Sequence, residues 1–310
     1  MDLSVQLAPY NHRGLRLANP VMTASGTFGY GIEYSEIFDI QRLGAIVCKG
    51  TTLKPRLGNP QPRITETPSG VLNSIGLQNI GIKALIKEMA PIWARWRVPV
   101  IVNIAGSTIE EYKLIAAQLD NVPGISGIEI NISCPNVNEG GAEFGSDPET
   151  ASRVTSAVRS TTTLPVIVKL TPNTGRVVEI ARAVVAAGAD ALTLINTLKG
   201  IAIDIYQRRP VLGNVTGGLS GPAIKPVALR FVYEVSGIVD VPVIGCGGIT
   251  SARDAIEFIM AGASAFQIGS ATFANPKASL DILEDIIRFM DEEHIGSLDE
   301  IRGIARRNKP

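Results

Sequence analysis

Residues 164–188, LPVIVKLTPNTGRVVEIARAVVAAG, contain one complete structural repeat. The run from Pro165 to Leu170 is rich in β-branched residues and apolar except for Lys169 near its end, the pattern of a strand buried on both faces. A short polar turn follows, and then a helix-length segment, 174–188, in which Val, Ile and Ala are mixed with charges. Strand followed by helix is the unit of a parallel sheet. The unit recurs along the chain. Strand candidates lie at 20–25, 44–50, 98–105, 127–133, 164–170, 190–196, 241–247 and 264–270, and helix candidates at 33–41, 78–95, 107–121, 147–160, 174–188, 222–236, 250–262 and 277–292. Eight strands alternating with eight helices predict an α/β fold, a (β/α)8 TIM barrel forming a single domain over residues 1–310. A doubly wound open sheet would carry a G-x-G-x-x-G turn after an early strand, and none is present.

Three connections are longer than the repeat needs: 50–77, 134–146 and 198–220, all rich in Gly and polar residues. Each follows a strand, which predicts long βα loops covering the C-terminal face, where barrel active sites form.

Composition excludes several classes of function. Twenty-nine basic and 29 acidic residues cancel, and no basic tract suggests a nucleic-acid or membrane-surface partner. Cys48, Cys134 and Cys246 are widely spaced and include no CxxC pair, so neither a zinc site nor a disulfide framework is expected. Nor can three thiols supply the four ligands of an iron–sulfur cluster. The N-terminus lacks the features of a signal peptide and no apolar run is long enough to span a bilayer. These features together predict a soluble, reduced, cytoplasmic protein with no metal site.

Polar side chains collect at the strand ends: Lys49, Asn103, Asn131, Lys169, Asn196 and Thr197. One such residue is an ordinary solvated terminus, but five strands ending this way point to a pocket. Two lysines at one barrel mouth call for an anionic or electron-rich ligand. After the last two strands, CGGI (246–249) and IGSA (268–271) place glycines where backbone approaches a ligand, and this position in barrels commonly binds phosphate. Cys48 and Cys246 read as packing residues. Cys134, beyond the end of its strand and one residue before Pro135, is placed to act as a base over a bound ring. Glu129 shares a strand face with Asn131, which predicts a buried carboxylate paired with Lys169 or Lys49.

The stretches TASGTFG (23–29), CKGTT (48–52), NSIGLQN (73–79), VNIAGS (102–107), EINISCPN (129–136), VKLTPN (168–173), INT (195–197) and TGGLSGPA (216–223), with CGGI and IGSA, resemble dihydroorotate dehydrogenases in order from about residue 4 to residue 290. NEGGAEFGSDPE (138–149) resembles the class 1B catalytic subunit. The resemblance implies an FMN-dependent oxidation of (S)-dihydroorotate to orotate in pyrimidine biosynthesis. It assigns Cys134 as the base for C5 and Lys49 as a contact to both flavin and substrate. Ser25, Gly50, Asn103, Asn131, Lys169, Ile195 and Gly221 would line the flavin, and Gly247, Gly248, Gly269 and Ser270 would take its phosphate. Asn73, Ser74, Ile75, Gly76, Leu77, Asn131, Asn136, Asn196 and Thr197 would hold the substrate. The resemblance also implies a homodimeric core joined by a second subunit carrying FAD and a [2Fe–2S] cluster, a heterotetramer that passes electrons to NAD+.

Four alternatives remain open on the sequence: a fumarate-linked class 1A enzyme, a dihydropyrimidine dehydrogenase-like oxidoreductase, a Schiff-base aldolase using Lys169, and a non-catalytic flavin- or phosphate-binding barrel.

Overall fold

The chain opens with a small antiparallel hairpin in which β1 (Val5–Gln6) pairs with β2 (Arg16–Leu17). A computed structural model describes residues 1–133 and 143–307. Eight parallel strands follow the hairpin: β3 (Val21–Thr23), β4 (Ile46–Val47), β7 (Val100–Ile104), β8 (Gly127–Asn131), β9 (Val166–Leu170), β10 (Ala191–Leu194), β15 (Val243–Cys246) and β16 (Ala265–Ile268). Their order in the sheet is β3-β16-β15-β10-β9-β8-β7-β4. A parallel bridge between Met22 and Ala45, with Thr23 N–H donating to the Ala45 carbonyl at 3.2 Å, closes β3 onto β4. The eight expected strands are thus the eight staves of a (β/α)8 barrel.

Because side chains alternate along a strand, the barrel interior fills in layers. The lower layer is apolar and includes Met22, Ala45, Val47, Ile101, Ile167, Ala191, Ile244 and Ala265. Val5, Leu7, Leu15 and Leu17 of the hairpin pack into this cluster and plug the barrel from below. One pleat higher the interior turns polar, with Asn103, Glu129, Lys169, Thr193 and Gln267 all buried.

The outer helices fall at their expected places with shorter ends. Thr108 caps Ile109–Leu119 by accepting from the Glu111 N–H, and Asp147 caps Pro148–Arg159 by accepting from the Thr150 N–H. The segment expected as a helix at 33–41 splits into Ile32–Ser35 and a 3-10 turn at Ile40–Arg42. The one expected at 78–95 contains a π turn, Leu85–Met89, just before Pro91. Proline cannot donate to the preceding turn and its ring crowds the carbonyl there, and a wider turn relieves both problems.

Two of the long connections are more ordered than loops. β5 (Ile64–Thr67) and β6 (Gly70–Asn73) join β11 (Leu198–Ile201) and β14 (Thr216–Ser220) in a four-stranded antiparallel sheet ordered β11-β14-β6-β5. A further pair, β12 (Ile203–Asp204) with β13 (Arg209–Pro210), extends the second connection. The sheet unites segments from the loops after β4 and β10 and walls one side of the barrel mouth.

Candidate active site

Above the polar layer lies a cavity of about 800 Å³, within the range that holds a cofactor together with a small substrate. Its lower wall consists of residues just beyond the strand ends. Asn196 Nδ2 donates to Asn131 Oδ1 at 3.2 Å and to Ser133 Oγ at 3.0 Å, so the ends of β10 and β8 are tied together across β9. The Asn196 Oδ1 in turn accepts from the Thr197 N–H at 2.8 Å, which fixes which end of the amide faces which neighbour. Lys49, half-buried, enters from the end of β4, and burial lowers its pKa, with Arg63 acting in the same direction and Glu33 opposing. Asn73, Ser74, Ile75, Gly76 and Leu77 enter from the antiparallel sheet on the opposite side. Ser74 Oγ is buried at the cavity wall with no hydrogen-bond partner among the described residues, which leaves its hydroxyl available to a polar group in the cavity.

The floor is a continuous polar network. Glu129, with none of its surface exposed, accepts from Asn103 Nδ2 at 2.8 Å, Thr193 Oγ1 at 2.9 Å and Gln267 Nε2 at 2.5 Å. Lys169 does not contact this carboxylate. Its ammonium donates instead to Gln267 Oε1 at 3.0 Å and to Cys246 Sγ at 3.6 Å. The direct lysine–glutamate pair expected from strand parity is therefore replaced by a relay through an amide, because Gln267 projects from β16 between them. Burial opposes the charge on Lys169, but the Cys246 sulfur and the Glu129 carboxylate outweigh it and hold the pKa above the ordinary lysine value. Burial pushes both other described thiols up, Cys48 to about 12, so Cys48 stays protonated at neutral pH, while the Lys169 ammonium opposes the rise at Cys246. Cys48 packs in the core, whereas Cys246 faces the cavity and touches Lys169.

The wall above β15 and β16 is nearly bare backbone. Gly247 and Gly248 have φ values of 130° and 76°, a region that side chains rarely enter. A Cβ on Gly248 would stand 2.7 Å from the backbone nitrogen of Lys225. Gly269, Ser270 and Gly221 complete this wall. Behind it the helix Ala252–Ala261 starts with a capping box, in which Ser251 and Asp254 each accept from the other's backbone N–H.

A profile of the dihydroorotate dehydrogenase family matches residues 8–290. The chain belongs to the dihydroorotate dehydrogenase family. It is 57% identical over 302 residues to the dihydroorotate dehydrogenase B (NAD(+)) catalytic subunit of Pelobacter propionicus, covering 97% of this chain and 98% of that one. The proteins of the same name from Geotalea uraniireducens and Desulforamulus reducens are 55% and 56% identical, and each alignment covers at least 94% of both chains.

In this member of the dihydroorotate dehydrogenase family, Ser25, Lys49, Gly50, Asn103, Asn131, Lys169 and Ile195 line the one cavity, as do the 73–77 segment, Asn196, Thr197 and the glycine wall. Cys134 and Asn136 lie outside the described residues. The same cavity is lined by Ser133, Glu143 and Asn173, which fall within the stretches EINISCPN, NEGGAEFGSDPE and VKLTPN but carry no site role in the sequence reading. Thr171 Oγ1 donates to Glu143 at 3.0 Å, bringing a carboxylate to a rim otherwise rich in lysine and asparagine. Among the described residues, no helix is long and apolar enough to cross a membrane, and no cluster of His, Cys, Asp or Glu could hold a metal ion.

Proposed function

We propose that the chain is the catalytic subunit of an NAD+-linked dihydroorotate dehydrogenase, a single domain spanning residues 1–310 that binds one FMN and oxidises (S)-dihydroorotate to orotate in pyrimidine biosynthesis. Its partner would carry FAD and a [2Fe–2S] cluster and join a homodimeric core to give a heterotetramer in the cytoplasm. The observation that carries this reading is a buried ammonium, Lys169, on the floor of a cavity with a side-chain-free glycine wall at one end and hydrogen-bonding amides at the other. The glycine wall suits a phosphate, the amides suit a ring bearing carbonyl and N–H groups, and the ammonium suits a ring that gains negative charge.

In this reading Gly247, Gly248, Gly269 and Ser270 hold the phosphate through backbone N–H groups, while Ser25, Gly50, Asn103, Ile195 and Gly221 border the ring system. Asn73–Leu77, Asn131, Asn136, Asn196 and Thr197 orient the substrate, with Lys49 neutralising its carboxylate. Cys134 takes the proton from C5. When bound, FMN supplies the acceptor for the hydride leaving C6. Lys169 stabilises the negative charge that the transfer delivers to the cavity floor, a role for which its raised pKa suits it.

That raised pKa disfavours the Schiff-base alternative, since a nucleophilic lysine must be largely neutral near pH 7. The test is the visible spectrum of the purified chain, followed anaerobically as dihydroorotate is added. A yellow protein that bleaches supports the reading. A colourless preparation that takes up no FMN overturns it.

A further inference from the structure

The amide of Gln267 lies inside the barrel, fully buried, on a strand whose other residues are apolar. Its orientation is dictated by chemistry. A carboxylate can only accept and an ammonium can only donate, so Nε2 must face Glu129 and Oε1 must face Lys169. The two charges are thereby held apart with one neutral amide between them. Were they to touch, the pair would neutralise itself in a low-dielectric interior and the ammonium would be drawn down toward Glu129, away from the cavity. As built, Lys169 uses one N–H on Gln267 and one on Cys246, and its third has no protein acceptor among the described residues. Thr193 and Asn103 satisfy the rest of the carboxylate, so Glu129 does not need the lysine as a direct partner.

We propose that Gln267 is a positioning residue that keeps Lys169 and Glu129 as a separated charge pair, leaving the lysine charge directed at the flavin ring. The inference rests on the FMN reading above. It assigns to Gln267 an effect on the balance between oxidised and reduced flavin, while a merely structural role would weaken the binding of both forms alike.

The test compares the wild-type chain with Gln267→Leu and with the exchange Glu129→Gln/Gln267→Glu. The exchange keeps side-chain shape and net charge but sets a carboxylate where the amide oxygen now lies, 3.0 Å from Lys169 Nζ. The affinity for oxidised FMN is measured by quenching of flavin fluorescence, and the reduction potential of bound flavin by anaerobic equilibration with an indicator dye. Together they give the ratio of affinities for reduced and oxidised FMN. The expected result is a fall in this ratio of about tenfold in both variants, as expected when one nearby charge is neutralised. A ratio unchanged from wild type in the exchange variant, with or without an equal loss of affinity for both forms, overturns the inference. Failure of the wild-type chain itself to bind FMN would instead overturn the functional reading on which it rests.

Discussion

Glu129 is cut off from water, so its charge depends on individual donors rather than on solvent. Thr193→Val keeps the volume of the side chain but deletes one of these donors. It is expected to lower stability by about 1–3 kcal/mol, the usual cost of an under-satisfied buried acceptor, measured from urea unfolding midpoints. Cys134 belongs to the same scale but to chemistry rather than folding. Cys134→Ala is expected to leave FMN bound and to slow anaerobic flavin reduction by dihydroorotate by about 10²- to 10⁴-fold, the usual contribution of a general base. An unchanged rate in stopped-flow traces would remove Cys134 from that role.

At the scale of elements, the helix Ala252–Ala261 shows how the glycine wall is supported. Burial pushes the Asp254 carboxyl up, but the Lys225 ammonium at 2.7 Å, with the Thr250 N–H and the Thr250 and Ser251 hydroxyls, more than reverses this and brings its pKa to about 2. A depressed carboxyl contributes stability above its unfolded pKa of about 4 and loses it as pH falls through the folded value. Asp254→Asn is therefore expected to lower the urea midpoint at pH 6, with the gap to wild type narrowing between pH 4 and pH 2. A gap of constant size down to pH 2 would show that the ionised form contributes nothing. The barrel staves and their helices were legible because burial on both faces writes continuous apolar runs, and amphipathic helices write a different period. β5, β6, β11 and β14 were not legible. Their residues are half-exposed and rich in Gly and Thr, and Asn73 finds Gly218 145 positions further along. In the site, Lys49, Lys169 and the asparagines stood out as polar groups ending apolar strands. Gln267 sits in mid-strand, where its importance comes from two neighbours on other staves that no local pattern connects to it.

Across the whole molecule, polarity changes along the barrel axis, from an apolar layer plugged by the hairpin to charged and amide groups at the mouth. Leu17 is 1% exposed within that plug. Leu17→Ala is expected to cost about 2–5 kcal/mol, since the barrel walls cannot collapse onto the space it leaves. Calorimetry would check this, and a loss under 1 kcal/mol would mean the hairpin is an ornament rather than a stopper. A stopper also governs traffic. With the barrel filled below by apolar side chains, the cavity lies on the side of the strand ends, so dihydroorotate arrives and orotate departs at the C-terminal face.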